Sequence, residues 1–267
     1  MSVRTAASFV VATTAALGAA LATPALAATP HTTNTPAQLT QAIASHESHA
    51  SHGLTQSGKT NDSVSSTNWS GYAATGSSGA YTSVTTSWTQ PSVTCGSATT
   101  YSSFWVGLDG YSNSALEQTG TEADCINGKA TYGAWWEVLP ASESAYSGVT
   151  VAGGDKFTAT VTYNGTNFVM TLADSTQGWS KSTTHAGSSG FKNASAEVIA
   201  EAPEVNGSVA KLANFGTVNF TGAKSNGNNL DTYSPNSITM VSSSGSTTRA
   251  LPGSISGGAF ADVWKSS

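Results

Sequence analysis

The sequence predicts an all-β protein, a sandwich of antiparallel sheets. Three observations carry this. Charged residues make up only 9% of the 267, against roughly 25% in an average soluble protein, and the polarity comes from Ser, Thr, Asn and Gly. Short runs of β-branched and aromatic residues recur, bounded by turn residues. No long stretch carries the 3.6-residue period of a helix. The net charge of −5 leaves no basic footprint for nucleic acid and no polybasic segment for a membrane surface.

Residues 1–27 have the form of a secretory leader. Arg4 supplies the positive start, an apolar stretch follows, and Ala25-Leu26-Ala27 gives a small-x-small cleavage site. A secreted, extracellular protein is expected. In an oxidising compartment the two cysteines, Cys95 and Cys125, form one disulfide. Closing such a loop stabilises by roughly 3–4 kcal/mol on the chain-entropy model.

Residues 28–62 read as a solvated pro-segment or linker. No aromatic residue lies there, and His31, His46, His49 and His52 do. Histidines charge as pH falls through about 6.5, so acid-triggered release of the segment is one expectation. Residues 53–60 match the phosphate-loop pattern G-x-x-x-x-G-K-[ST], but neither a strand before nor a helix after accompanies the match. It is read as coincidence.

The folded domain is expected at residues 63–267, which hold all seven tryptophans. Strand-like runs fall at 81–88, 104–109, 156–163, 167–172, 196–201, 216–220, 237–241 and 259–264. Asn164-Gly165 between two of them signals a hairpin.

Elimination narrows the chemistry. His185 is the domain's one histidine, and a lone loop histidine is most often simply exposed. There is no G-x-S-x-G elbow, and one His without a free thiolate makes a poor zinc site. No metal or other cofactor is expected. Carboxylates and amides remain, and strand parity sorts them. Along 104–109, Phe104, Val106 and Leu108 face a core, while Trp105 and Asp109 lie opposite. Along 132–138, Ala134, Trp136 and Val138 face the core, while Trp135 and Glu137 lie opposite. Along 196–201, Glu197 and Glu201 share the face away from Val198 and Ala200. Acids beside tryptophans on an open sheet face outline a binding groove.

Five motifs then occur in order: Asn68-Trp69-Ser70-Gly71-Tyr72, Trp105-Val106-Gly107-Leu108-Asp109-Gly110, Gln118-Thr119-Gly120, Ala134-Trp135-Trp136-Glu137-Val138-Leu139-Pro140 and Ala196-Glu197-Val198-Ile199-Ala200-Glu201. Phe215-Gly216-Thr217-Val218-Asn219-Phe220-Thr221 follows. In these the chain resembles the glutamic peptidases, or eqolisins, over about residues 67–223, with a weaker tail to 264. The resemblance implies a concanavalin-like sandwich of two antiparallel sheets of about seven strands each. It implies a secreted, acid-active, pepstatin-insensitive endopeptidase made as a proenzyme, acting on polypeptides. Its catalytic pair maps onto Gln118 and Glu201, and its groove onto Trp69, Trp105, Asp109, Glu122 and Glu137.

The chemistry of such a pair is self-consistent. A Glu carboxylate takes a proton from water and returns it to the leaving amine. A Gln amide donates to the oxyanion without titrating in acid. If Gln118 faces the groove, alternation turns Glu117 toward the core, which a strand end or a bulge there accommodates. Pro203 should end the Glu201 strand early. Two other readings stand beside this one: a β-sandwich glycoside hydrolase using Glu137 and Glu201, and a non-catalytic carbohydrate-binding module. Nothing in the sequence suggests more than a monomer.

Overall fold

The computed structural model describes residues 48–55 and 60–267. The leader, His31, His46 and residues 56–59 of the phosphate-loop-like run lie outside the described residues. Apart from one 3-10 turn at Leu230–Tyr233, the regular structure is β.

One layer is built from β10 (Trp179–His185), β9 (Phe168–Asp174), β8 (Lys156–Tyr163), β3 (Ser83–Thr89), β14 (Thr217–Ser225), β18 (Phe260–Trp264) and β17 (Thr248–Pro252), hydrogen-bonded in that order. The ladder continues into a second layer of β16 (Asn236–Val241), β2 (Trp69–Thr75), β11 (Ser195–Glu201), β4 (Ser103–Leu108), β5 (Glu117–Ile126), β6 (Lys129–Val138) and β7 (Ser144–Ala145). All pairs along this path are antiparallel, and the ladder is continuous from β10 to β7 rather than split into two separate seven-stranded sheets. The register slips between Met240 and Val241 at the β16–β17 junction. Such irregularities bend a sheet locally, and here the path turns from one layer to the other. Short β1 (Ser63–Ser66) adds in parallel to β16, β15 (Asn228–Asn229) pairs β14, and β12 (Glu204–Val205) with β13 (Ser208–Val209) forms a separate hairpin.

The layers face each other with β5 over β8 and β9, β4 over β3 and β8, and β11 over β3 and β14. Period-two alternation fills the space between them. Phe157, Ala159 and Val161 of β8 and Phe168, Met170 and Leu172 of β9 meet Phe104, Val106 and Leu108 of β4 and Val198 and Ala200 of β11. The disulfide Cys95–Cys125 ties the chain before β4 to the end of β5.

Most strands predicted from alternation appear within a residue or two. The predicted 156–163 strand is β8 itself. The hairpin at Asn164-Gly165 is present, but its loop runs to Asn167: the Asn164 side chain accepts the Thr166 and Asn167 amides, and pairing resumes at Tyr163–Phe168. The 216–220 strand extends to Ser225 across a register shift against β3. His185 ends exposed edge strand β10 rather than lying in a loop.

The outer face of the second layer, away from this core, carries a second apolar cluster. Trp69, Ala73, Trp105, Trp135, Ile199, Ile238 and Leu139 form it. Residues 48–55 lie across that face, with Ala50 and Leu54 packed on the cluster. A solvated linker therefore does not describe this stretch, and His49 is completely buried.

Candidate active site

Register alone brings the site residues onto one face. Gln118 of β5 pairs with Gly107 of β4 and Glu137 of β6; Gly120 pairs with Trp105 and Trp135; Glu201 of β11 pairs with Trp69 and Ser103. Each strand points alternate side chains the same way, so Glu201, Trp69, Trp105, Gln118, Trp135 and Glu137 share the outer face. Gly120 is required there. A Cβ on it would sit 2.2 Å from the Phe104 carbonyl oxygen and 2.6 Å from the Trp105 Cβ.

Glu201 is held by donors on both oxygens. Asn68 Nδ2 donates to Oε1 at 2.9 Å, and the Trp105 indole N–H donates to Oε2 at 2.7 Å. Trp69 packs edge-on against Trp105, ring centroids 5.0 Å apart. Gln118 Nε2 donates to Glu137 Oε2 at 2.6 Å, and Gln118 Oε1 is buried without a hydrogen-bond partner among the described residues. Burial pushes the Glu137 carboxyl up to about 8; the His49 charge opposes this, and the Glu143 and Glu201 charges add to it.

Two groove expectations fall out differently. Glu122 is buried on the same face, opposite Ser103. Asp109 is turned away from the groove. It follows β4 with φ +69°, and its carboxylate accepts the Lys192, Asn193 and Ala194 amides at 2.8, 2.7 and 3.0 Å and the Asn113 amide at 2.8 Å. It pins the loop entering β11.

No bulge relieves Glu117. It is the first residue of β5, fully buried, and accepts the Ser188 amide at 2.6 Å. Burial pushes its carboxyl up to about 7, Ser188 opposing and Asp109 adding. A neutral acid at a strand end solves the problem that alternation posed. β11 does stop at Glu201, before Ala202-Pro203.

Three residues of the site went unassigned in the sequence. Asn68 stands inside the first motif. Glu143 comes from the connection after β6. His49 comes from the histidine run, its Nδ1 lying 2.8 Å from Glu201 Oε2 and its Nε2 2.8 Å from Glu143 Oε2. Among the described residues no cluster of three or more His, Cys, Asp or Glu side chains could hold a metal ion.

A β-sandwich presents a donor-fixed glutamate and a glutamine on one tryptophan-lined face, and its class is that of the glutamic-type hydrolases. The peptidase A4 family matches residues 67–261, and the chain belongs to that family. Aspergillopepsin-2 of Aspergillus niger is 30% identical over 211 residues, covering 70% of this chain and 73% of that protein. Scytalido-glutamic peptidase, solved with a transition state analog inhibitor, superposes with a TM-score of 0.64 at 26% identity, covering 74% of this chain and 98% of that one. SCP-B, a member of the eqolisin family solved with the tripeptide Ala-Ile-His, gives 0.59 at 25% identity over 74% of this chain and 98% of its own. The protein is a glutamic-type endopeptidase acting on polypeptides. The carbohydrate readings give way to this. No helix among the described residues is long and apolar enough to cross a membrane.

Proposed function

We propose that Glu201 and Gln118 are the catalytic pair of an acid endopeptidase that is secreted as a monomeric proenzyme. The observation that carries this reading is the pair's support: Glu201 is fixed by Asn68 and Trp105, and Gln118 is fixed by Glu137, on one groove face. Glu201 takes a proton from a water molecule as its oxygen bonds to the scissile carbonyl carbon. Gln118 Nε2–H donates to the oxyanion, an interaction typically worth about 3–4 kcal/mol. When the C–N bond breaks, the proton on Glu201 passes to the departing nitrogen, which leaves as an amine. The other product is a carboxylic acid, and Glu201 is again a carboxylate.

Trp69, Trp105 and Trp135 wall the site and exclude water, which strengthens each of these hydrogen bonds. That SCP-B takes a tripeptide and scytalido-glutamic peptidase a transition state analog supports short peptides and tetrahedral mimics as ligands here. Residues 1–27 serve as leader and residues 28–62 as pro-segment in this reading. The test is hydrolysis of denatured casein from pH 2 to 7 with pepstatin present, beside Glu201→Gln and Gln118→Ala. Acid proteolysis that pepstatin spares and both variants abolish is the expected result. Activity surviving in either variant would overturn the assignment.

A further inference from the structure

We propose that residues 48–55 are an intramolecular occupant of the substrate groove, and that its His49 side chain fills a binding site for a planar cation built by Glu201, Glu143, Glu137 and Trp135. This deepens the proposed function and rests on its placement of the catalytic pair.

The segment lies in the groove as a peptide ligand would. Its backbone is matched group by group. Glu204 N–H donates to the Ser48 carbonyl at 3.0 Å, and Trp69 Nε1–H to the His49 carbonyl at 3.3 Å. Asn68 Nδ2 donates to the Ala50 carbonyl at 2.8 Å, while Asn68 Oδ1 accepts the His52 amide at 2.7 Å. Thr67 N–H donates to the His52 carbonyl at 2.8 Å, and Thr55 N–H to the Ser65 carbonyl at 2.9 Å. Main-chain pairing of this kind gives affinity, and side-chain pockets give selectivity.

His49 is the side chain that the pocket selects. Its ring is completely buried, flat on Trp135, with one nitrogen on Glu201 and the other on Glu143. Its amide donates to Glu137 Oε2 at 3.2 Å, the oxygen that also holds Gln118. Both halves of the catalytic pair are thereby engaged, and a scissile carbonyl cannot reach Glu201 while the imidazole is there. Two carboxylates on two ring nitrogens call for both nitrogens to donate, which only the cation does.

Titration sets the direction of release. Burial alone would lower the His49 pKa, but the Glu201 charge, the bonds to Glu143 and Glu201 and the Glu137 charge raise it to about 10. A docked pKa above the free value means that the histidine's contribution is complete below about 6.5 and is lost only as pH rises through about 10. Charging of His49 is therefore no acid trigger. Acid acts on the other side of the contact: Glu137, pushed up to about 8 by burial, takes up a proton as pH falls and removes a counter-charge from a cation that stays charged. At the segment's next histidine, His52 Nε2 lies beside the Glu204 carboxylate, part-exposed.

The experiment uses the full chain, kept intact as checked by mass spectrometry. Initial peptidase rates are measured from pH 3 to 7 for the parent, His49→Ala and Glu143→Gln, and the His49 ring nitrogens are followed by NMR in the parent. Losing a charge-assisted hydrogen bond shifts a binding equilibrium by about tenfold or more. The uncleaved His49→Ala and Glu143→Gln chains should accordingly be at least about tenfold more active than the parent at pH 6, and His49 should remain an imidazolium at pH 8. Active chains with equal latency in parent and His49→Ala, or a neutral His49 at pH 8, would overturn the proposal and leave the catalytic pair untouched. A cationic His49 at pH 8 with no proteolysis in any chain would uphold the binding site and sink the catalytic reading instead.

Discussion

The imidazole of His49 and the indole of Trp135 lie parallel, their ring centroids 3.9 Å apart, and the indole's own N–H is turned away to the Ser103 hydroxyl at 3.1 Å. The tryptophan thus offers its π face to the cation and keeps its polar edge satisfied. A cation over an indole face gains about 0.5–2 kcal/mol, more when desolvated. Trp135→Ala should release the segment at higher pH, raising the activation midpoint by about 0.4 to 1.5 units at 1.36 kcal/mol per unit. Trp135→Phe should lie between it and the parent. The midpoint is read from each variant's rate normalised to its own maximum, and an unmoved midpoint in Trp135→Ala would remove the ring from the account.

Glu137 holds the Gln118 amide by one oxygen, accepting its Nε2–H at 2.6 Å. Its carboxyl titrates near 8, so it is protonated across the acid range. Glu137→Gln mimics that neutral form and should keep kcat within a few-fold at pH 3–4. Glu137→Ala leaves Gln118 unanchored and should lose about tenfold or more in kcat, with KM nearly unchanged. Equal loss in both variants at acid pH would show that the carboxylic proton itself is needed.

Asn68 and Trp105 fix Glu201 from two directions. A hydrogen bond to a charged group contributes about 1.5–3 kcal/mol. Asn68→Ala and Trp105→Phe should each lower kcat by about ten- to a hundredfold, through misplacement of the carboxylate rather than loss of substrate contacts. Asn68→Ala should also loosen residues 48–55, because the same amide clamps the Ala50 carbonyl and the His52 amide. Faster trimming of the precursor by an added protease would report that second effect.

Buried carboxyls bias the fold toward acid. Asp262 is pushed up to about 7 by burial, against the Ser70 hydroxyl and the Val263 amide. Glu117 stands near 7, and Glu197 is driven well above the ordinary range by burial, Ser195 opposing and Asp109 and Glu117 adding. A folded pKa above the unfolded one gives stability that is complete below about 4 and is lost as pH rises through about 7. Thermal unfolding followed by circular dichroism should show Tm falling between pH 4 and 8. Asp262→Asn should shrink that fall and exceed the parent's Tm at pH 8. A parent Tm that is flat or rises over this interval would contradict the assignment.

Parity made much of the site legible and failed at identifiable points. Trp105, Trp135, Glu137, Gln118 and Glu201 sit mid-strand or at a regular strand end, where period two places side chains reliably. Asp109 carries the same parity on paper, but its φ of +69° leaves the strand and rotates the carboxylate to the next loop. Glu143 comes from a connection with no period to read. His49 was legible only as part of a polar, aromatic-free stretch, since its burial depends on a face that is complete only once β11, β4, β5 and β6 are aligned. Asn68 was visible within a motif, but its double role follows from the turn between β1 and β2, which sets both edges of one amide against different partners.

Gly120 shows how far the site depends on backbone proximity. A side chain there would meet the Phe104 carbonyl oxygen and the Trp105 Cβ, in the centre of the sheet where neither can withdraw. The position is not one of left-handed backbone, so the constraint is space alone. Overpacking typically costs about 1–3 kcal/mol, and rigid backbone neighbours put Gly120→Ala at or above the upper end. Because the displaced residue is Trp105, the change should also weaken its hydrogen bond to Glu201. Gly120→Ala should lower Tm by several degrees and kcat by more than the stability loss explains, measured well below the new Tm. Gly222→Ala is the control: no atom lies within 4 Å of its Cβ, and the strain there comes from φ of +63° alone. That control should lose stability with kcat unchanged, and a matching loss of kcat in both would mean that Gly120 acts through the fold rather than through Trp105.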